Sequence, residues 1–270
     1  MPYLDLPSHR LHYRIDGAET DGVGCGKPWL LFCNSLGTDL TMWDAQIPAL
    51  ARDFRILRHD TRGHGLSGTP PGRYDLADLG GDVIALLDAL AIPRLHVCGL
   101  SIGGLTGQWL GLHAAARVDR LALCATAARI GSAEGWAARI RAVARDGLGA
   151  LVDATAGRWF SPGFAAAQPH AVAAILNGFA ATPVEGYLGC CAALAEADLT
   201  AQSGGIARPV LAVSGADDPV CPPVALEALA RAVRHGRHRM LPGRHLVSVE
   251  SAPAFNALLR DFLIEAPIAA

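Results

Sequence analysis

The stretch that decides the fold is Arg94-Leu95-His96-Val97-Cys98-Gly99-Leu100-Ser101-Ile102-Gly103-Gly104. Its first half is an apolar run of strand length, and the residues after it have helical spacing, so it reads as strand, sharp turn, helix. The pentapeptide Gly99-Leu100-Ser101-Ile102-Gly103 lies at the join. A serine there occupies a strained turn, and flanking glycines suit it because a Cβ would collide with neighbouring backbone. Such a turn lifts the hydroxyl above the C-terminal edge of a sheet. It also leaves the Ile102 amide at a helix N-terminus, where free N–H groups stabilise an oxyanion. With 30 Gly in 270 residues, and ten Ser, Gly-x-Ser-x-Gly arises by chance about 0.1 times. The strand before it and the helix after it make chance rarer still.

Working outward, the same continuous hydrophobicity recurs at residues 29–37, 54–60, 118–127 and 209–218. Continuous rather than alternating apolar residues predict strands buried on both faces, as in a parallel sheet. Residues 3–17 alternate around a Pro-Ser turn and predict an antiparallel hairpin, followed by a Gly-rich loop over 22–26. Segments of helical period lie between the runs, at 42–51, 74–92, 105–116 and 222–233, the last opening on Pro222 and Pro223. Strand and helix in alternation imply βαβ units. The alternation fails once, over 130–197, which is Ala-rich, carries Trp136, Trp159 and Phe160, and reads as several helices. The expected organisation is therefore a core in two parts, 1–129 and 198–270, around a helical cap or lid at 130–197.

Composition narrows the function classes. Hydrophobic residues make up 51% and charged residues 18%, which suits an ordered globular chain. A net charge of -2 offers no electrostatic footprint for nucleic acid or an anionic membrane. The seven cysteines (Cys25, Cys33, Cys98, Cys124, Cys190, Cys191, Cys221) are odd in number, have no CxxC spacing and fall mostly in apolar segments. That pattern predicts free thiols in a reducing compartment and no zinc site. Residues 1–17 lack the pattern of a signal peptide. The uncharged stretch 95–116 is too broken by Gly99, Gly103, Gly104, Gly107 and Gln108 to span a membrane. A cytoplasmic protein is expected, with no cofactor and no metal.

A serine is a poor nucleophile unless a histidine takes its proton and an acid orients that histidine. On folds built around this turn the order is Ser, then Asp or Glu, then His. The loop after residue 215 offers Asp217 and Asp218; Asp218, the third residue after Gly215, fits the usual placement. His245, beyond the Pro242-Gly243 turn, is the candidate base. His235 and His238 compete, but His238 falls in a strand-like run and His235 beside Gly236.

Asp60-Thr61-Arg62-Gly63-His64-Gly65-Leu66-Ser67 resembles the D-x-R-G-x-G-x-S segment of α/β-hydrolases. More narrowly, Asn34-Ser35-Leu36-Gly37-Thr38-Asp39-Leu40 with Met42-Trp43 and Gln46-Ile47-Pro48-Ala49-Leu50 resembles the 3-oxoadipate enol-lactonases. So do residues 126–131, Arg158-Trp159-Phe160, and 186–193 in the insertion. The chain has Ile102 where that family more often has Met. The resemblance implies a mostly parallel eight-stranded sheet flanked by helices, with a helical cap insertion. It implies hydrolysis of 3-oxoadipate enol-lactone by Ser101, His245 and Asp218, with backbone N–H groups of Leu36 and Ile102 as the oxyanion hole. The substrate would be a small lactone carrying a carboxylate, which Arg suits. Arg129, Arg139 and Arg158 are candidates. Trp136 lies one turn before Arg139, on the same helix face, and this pair is expected to line the pocket. Surface arginines and a core Trp are the alternative. Competing functions on the same scaffold are a general carboxylesterase, a cofactor-free perhydrolase, or a non-catalytic receptor. A haloalkane dehalogenase would need a carboxylate where Ser101 stands.

Overall fold

The continuous apolar runs form the middle of one sheet. The computed structural model describes residues 2–17 and 26–265; Cys25 and positions 22–25 of the Gly-rich loop lie outside the described residues. The strands are β1 (Tyr3–Asp5), β2 (Arg10–Asp16), β3 (Trp29–Cys33), β4 (Arg55–His59), β5 (Leu95–Leu100), β6 (Val118–Cys124), β7 (Val210–Gly215) and β8 (Gly236–Leu241). Among the described residues they form an eight-stranded sheet ordered β1-β2-β4-β3-β5-β6-β7-β8. The β1–β2 hairpin is antiparallel and β2 pairs antiparallel with β4, while all later pairings are parallel. Every residue of β5 and β7 is buried, as strands covered on both faces must be. The edge strand β8 instead exposes Arg237 and Arg239, charges that discourage further pairing.

The helices are α1 (Ile47–Leu50), α2 (Leu76–Ala89), α3 (Ile102–His113), α4 (Ala133–Asp146), α5 (Val152–Trp159), α6 (Pro162–Ala167), α7 (Pro169–Ala181), α8 (Val184–Glu196), α9 (Pro223–Ala232), α10 (Val247–Glu250) and α11 (Ala252–Ile264). Helix α2 starts at a capping box in which Asp75 and Asp78 each accept the other's backbone N–H. Residues 42–51 depart from the expected single helix. Asp39 caps a 3₁₀ turn at Leu40–Trp43, and a separate single turn, α1, starts at Ile47 with Pro48 in its first turn. Two apolar layers cover the two sheet faces. One holds Leu31, Leu57, Val97 and Leu121 against Val83 and Leu86 of α2; the other holds Phe32, Ile56, Cys98 and Ala122. The second layer runs on without a break into Val143, Phe179 and Tyr187 of α4, α7 and α8, which lie between β6 and β7 in the chain.

Strand order reverses beside β3: the chain passes from β4 on one side to β5 on the other. Open α/β sheets bind ligands outside the C-terminal ends of their strands at such a switch. The loops after β3, β5, β7 and β8 all emerge at that edge. The pairing of Cys33 with Gly99 sets the first two side by side.

Candidate active site

Ser101 sits between β5 and α3 with φ 60 and ψ -119, in backbone space that a residue with a Cβ rarely enters. Such a conformation costs about 1–3 kcal/mol and persists only where its surroundings over-determine it. Here they do. Ser101 N–H donates to Cys124 O on β6, and Ser101 O accepts from Gly104 N–H, Leu105 N–H and Thr126 Oγ1. The glycines are required by close approach. A Cβ on Gly99 would lie 2.1 Å from Gly103 O, and one on Gly103 would lie 2.2 Å from Cys33 O.

His245 lies between β8 and α10, and Asp218 between β7 and α9. Both are buried, and His245 Nδ1 meets Asp218 Oδ2 at 2.9 Å. Asp218 Oδ1 accepts the N–H groups of Val220 (2.8 Å) and Cys221 (3.1 Å). A carboxylate is acceptor-only, so the imidazole carries its proton on Nδ1 and turns a lone pair outward at Nε2. Of the sequence alternatives, Asp217 is exposed, with its backbone N–H on Gly243 O. His238 meets Ser214 Oγ at 2.9 Å between β7 and β8, and His235 immediately precedes β8 and is not among the residues that line the cavity.

Ser101 and His245 line one cavity of about 330 Å³, together with Ser35, Leu36, Trp136, Arg139, Arg158, Trp159 and Tyr187. No hydrogen bond joins Ser101 to His245, a contact that often tightens only once substrate is bound. Leu36 follows β3. Its neighbours' amides are engaged: Ser35 N–H with Met42 Sδ at 3.4 Å, Gly37 N–H with His64 Nε2 at 2.9 Å. The Leu36 N–H between them has no acceptor among the described residues, and neither has that of Ile102 at the first position of α3.

The Asp60–Ser67 segment braces this loop. Asp60 accepts the N–H groups of Leu40 and Leu66 and meets His12 Nδ1 at 2.7 Å, while a Cβ on Gly65 would strike its carboxylate. Burial lowers the pKa of His64, so the ring is neutral and its Nε2 can accept from Gly37. Asn34 is a structural residue, donating to His59 O and accepting from Trp43 Nε1.

In the helical stretch, Trp136 and Arg139 both reach the cavity, and Arg158 joins them from α5. Trp136 Nε1 donates to Ile130 O at 2.6 Å, so its one side-chain donor is already engaged. Arg139 donates from Nε and Nη2 to Tyr187 Oη at 3.2 and 3.0 Å. Burial pushes the Tyr187 phenol up to about 12, and burial beside Arg139 lowers the pKa of Arg158. Two cations facing one small cavity suit an anionic ligand. Arg129 is not part of it: it is exposed and pairs with Asp198 at 3.2 Å. Tyr187 was missed as a pocket residue, though a hydroxyl within the apolar run 186–195 signals a buried partner.

The ligand atoms of Asp218, Cys221 and His245 lie within 4.8 Å of one another, the grouping that could hold an ion. The carboxylate is already engaged by two amides and the imidazole, and burial pushes the Cys221 thiol well up, keeping it protonated. Burial likewise raises Cys190, and raises Cys191 to about 12, which makes packing residues of this pair.

A family model described as alpha/beta hydrolase fold matches residues 28–252. The chain is 44% identical to 3-oxoadipate enol-lactonase 2 of Acinetobacter baylyi, over 85% of this chain and 86% of that protein. It is 37% identical to 3-oxoadipate enol-lactonase 1 of the same organism, over 94% and 92% of the two chains. Among solved structures, the enol-lactonase from Burkholderia xenovorans LB400 superposes with a TM-score of 0.94 at 44% identity, covering 98% of this chain and 100% of that one. The resemblance read from residues 34–50 and 186–193 is thereby borne out. This chain belongs to the α/β-hydrolase family, on the branch that contains the 3-oxoadipate enol-lactonases.

Proposed function

We propose that the chain opens 3-oxoadipate enol-lactone to 3-oxoadipate, a step of bacterial aromatic catabolism in the β-ketoadipate pathway, through a Ser-His-Asp triad and an acyl-enzyme. The observation that carries the reading is the shared cavity: Ser101 and His245 line the same small space as two arginines, Arg139 and Arg158. A neutral ester would not call for two cations there; a lactone with a free carboxylate does.

Ser101 Oγ attacks the lactone carbonyl while His245 Nε2 takes its proton, and Asp218 stabilises the imidazolium that forms. The N–H groups of Leu36 and Ile102 receive the developing oxyanion. The ring C–O bond then breaks, leaving the acyl group on Ser101, and His245 returns the proton to the enol oxygen. An enol leaves more readily than an alkoxide, and its ketonisation removes the group that could reclose the ring. His245 next activates water, which releases 3-oxoadipate. Trp136 and Arg139 hold the lactone, with helices α4 to α8 as the lid over the sheet edge. The described cysteines are free and buried, which suits a cytoplasmic, reducing setting. Among the described residues no helix is long and apolar enough to cross a membrane.

The test compares freshly generated enol-lactone with an uncharged aryl ester, for the wild type and Arg139→Ala. The lactone is expected to have the higher kcat/KM. The substitution should raise KM for the lactone about tenfold or more, the loss of one charge-assisted hydrogen bond, and leave the ester unaffected. An unchanged KM for the lactone removes Arg139 from the binding site; a preference for the ester favours a general carboxylesterase.

A further inference from the structure

The base is tied to the helices above it. His245 N–H points to Arg158 O at 3.5 Å, and Leu246 N–H donates to Trp159 O at 3.1 Å. The Arg244 guanidinium donates to Gly157 O. Residues 244–246 thus hydrogen-bond to the end of α5, whose Arg158 and Trp159 side chains line the cavity. Glu250, at the end of α10 and outside that lining, joins the same two segments. Its Oε1 accepts Arg244 N–H at 2.5 Å, and its Oε2 accepts both Ser161 N–H (2.9 Å) and Ser161 Oγ–H (2.5 Å). The loop passes so close that a Cβ on Gly243 would lie 3.0 Å from Glu250 Cβ.

We propose that Glu250 is a positioning residue: its carboxylate clamps the loop bearing His245 to the α5–α6 junction, so that the segment facing the ligand also sets the place of the imidazole. The inference rests on the reading of His245 as the base. The chemistry asks for a carboxylate. Three donors converge on the side chain from two directions, and only an ionised acid offers an acceptor at both ends. A glutamine in its place would keep one oxygen and turn an NH2 group against the other N–H. Releasing the clamp would let the loop shift relative to Asp218 and Ser101. Misplacing a catalytic group by about 1 Å costs on the order of a hundredfold in rate.

The experiment uses the full chain with Glu250→Gln, which keeps side-chain size, and Glu250→Ala. Both kcat and KM are measured per folded molecule, with the enol-lactone and with an uncharged aryl ester, alongside thermal melting. The expected result is a tenfold to hundredfold fall in kcat for both substrates in Glu250→Gln, with KM within about threefold of wild type. Ser161→Ala, which removes one of the three donors, should lose less. A fall in kcat smaller than tenfold with either substrate overturns the proposal, whatever happens to the melting temperature, because a merely structural residue lowers stability without slowing the folded enzyme. His245→Ala separates the two levels. If it retains turnover, the assignment of the base fails. If it is inactive while Glu250→Gln turns over normally, only the clamp fails.

Discussion

Replacing Asp218 with Asn alters one atom and should nearly abolish turnover. The Asp218 side chain is 0% exposed and has no slack: Oδ1 takes the N–H groups of Val220 and Cys221, and Oδ2 takes His245 Nδ1. An amide has one acceptor. If its oxygen stays on the two backbone N–H groups, its NH2 faces Nδ1, and the imidazole must move its proton to Nε2. That tautomer cannot accept a proton from Ser101. If the amide turns over, its NH2 meets two backbone N–H groups, three donors in one place, and each unmet buried group costs about 1–3 kcal/mol. The first arrangement is therefore favoured, and it is the inactive one. The same exchange within a Ser-His-Asp triad on another fold costs on the order of 10⁴ in kcat, about 5 kcal/mol of barrier. The assay is lactone turnover for Asp218→Asn beside Asp217→Asn, with circular dichroism to confirm that both fold. Asp217 is exposed, and its exchange should change kcat by less than about twofold. A kcat for Asp218→Asn within tenfold of wild type, or a larger loss at Asp217, would refute the reasoning.

Gly103→Ala should fold poorly, because its Cβ would lie 2.2 Å from Cys33 O and 2.5 Å from Cys33 C, both backbone atoms. Overpacking of this kind costs about 1–3 kcal/mol or more, whereas Gly81→Ala, with nothing within 4 Å in α2, should be neutral or stabilising. Denaturant midpoints of the two variants check the contrast, and equal midpoints would count against it. Stability should also fall in mild acid. Burial holds the pKa of His96 down to about 4 from 6.5, and lowers those of His59 and His64. As pH drops below about 6.5 the unfolded imidazoles gain protons that the folded ones refuse, so unfolding is favoured. For His96 the loss runs from about 6.5 to about 4, at up to about 1.4 kcal/mol per pH unit. Urea titrations at pH 7, 6 and 5 should show a declining unfolding free energy; a flat or rising trend would contradict it.

What could be read from the sequence were the local features with strong chemistry. Strands β3, β5, β6 and β7 announce themselves because burial on both faces demands unbroken apolar runs. The turn at Ser101 does so because its geometry excludes any residue but glycine at 99 and 103. Asp218 is already favoured over Asp217 by its distance from Gly215, and the structure adds that Asp218 is buried while Asp217 is exposed. The pieces that escaped are long-range pairings. Arg129, one of three candidate arginines, pairs instead with Asp198, 69 residues on. Tyr187 meets Arg139 across 48 residues, and Glu250 meets Ser161 across 89. The split of residues 42–51 into two short turns also has a tertiary cause: Leu40 N–H is held by Asp60 and Trp43 Nε1 by Asn34, contacts that no local period encodes.

The decisive measurement follows the disappearance of freshly generated enol-lactone with wild-type protein and with Ser101→Ala at equal concentration. Rapid loss with the wild type, and a rate at or near the non-enzymatic background with Ser101→Ala, is the predicted pair of results. Turnover by Ser101→Ala approaching that of the wild type would mean that the hydroxyl on the turn after β5 is not the nucleophile.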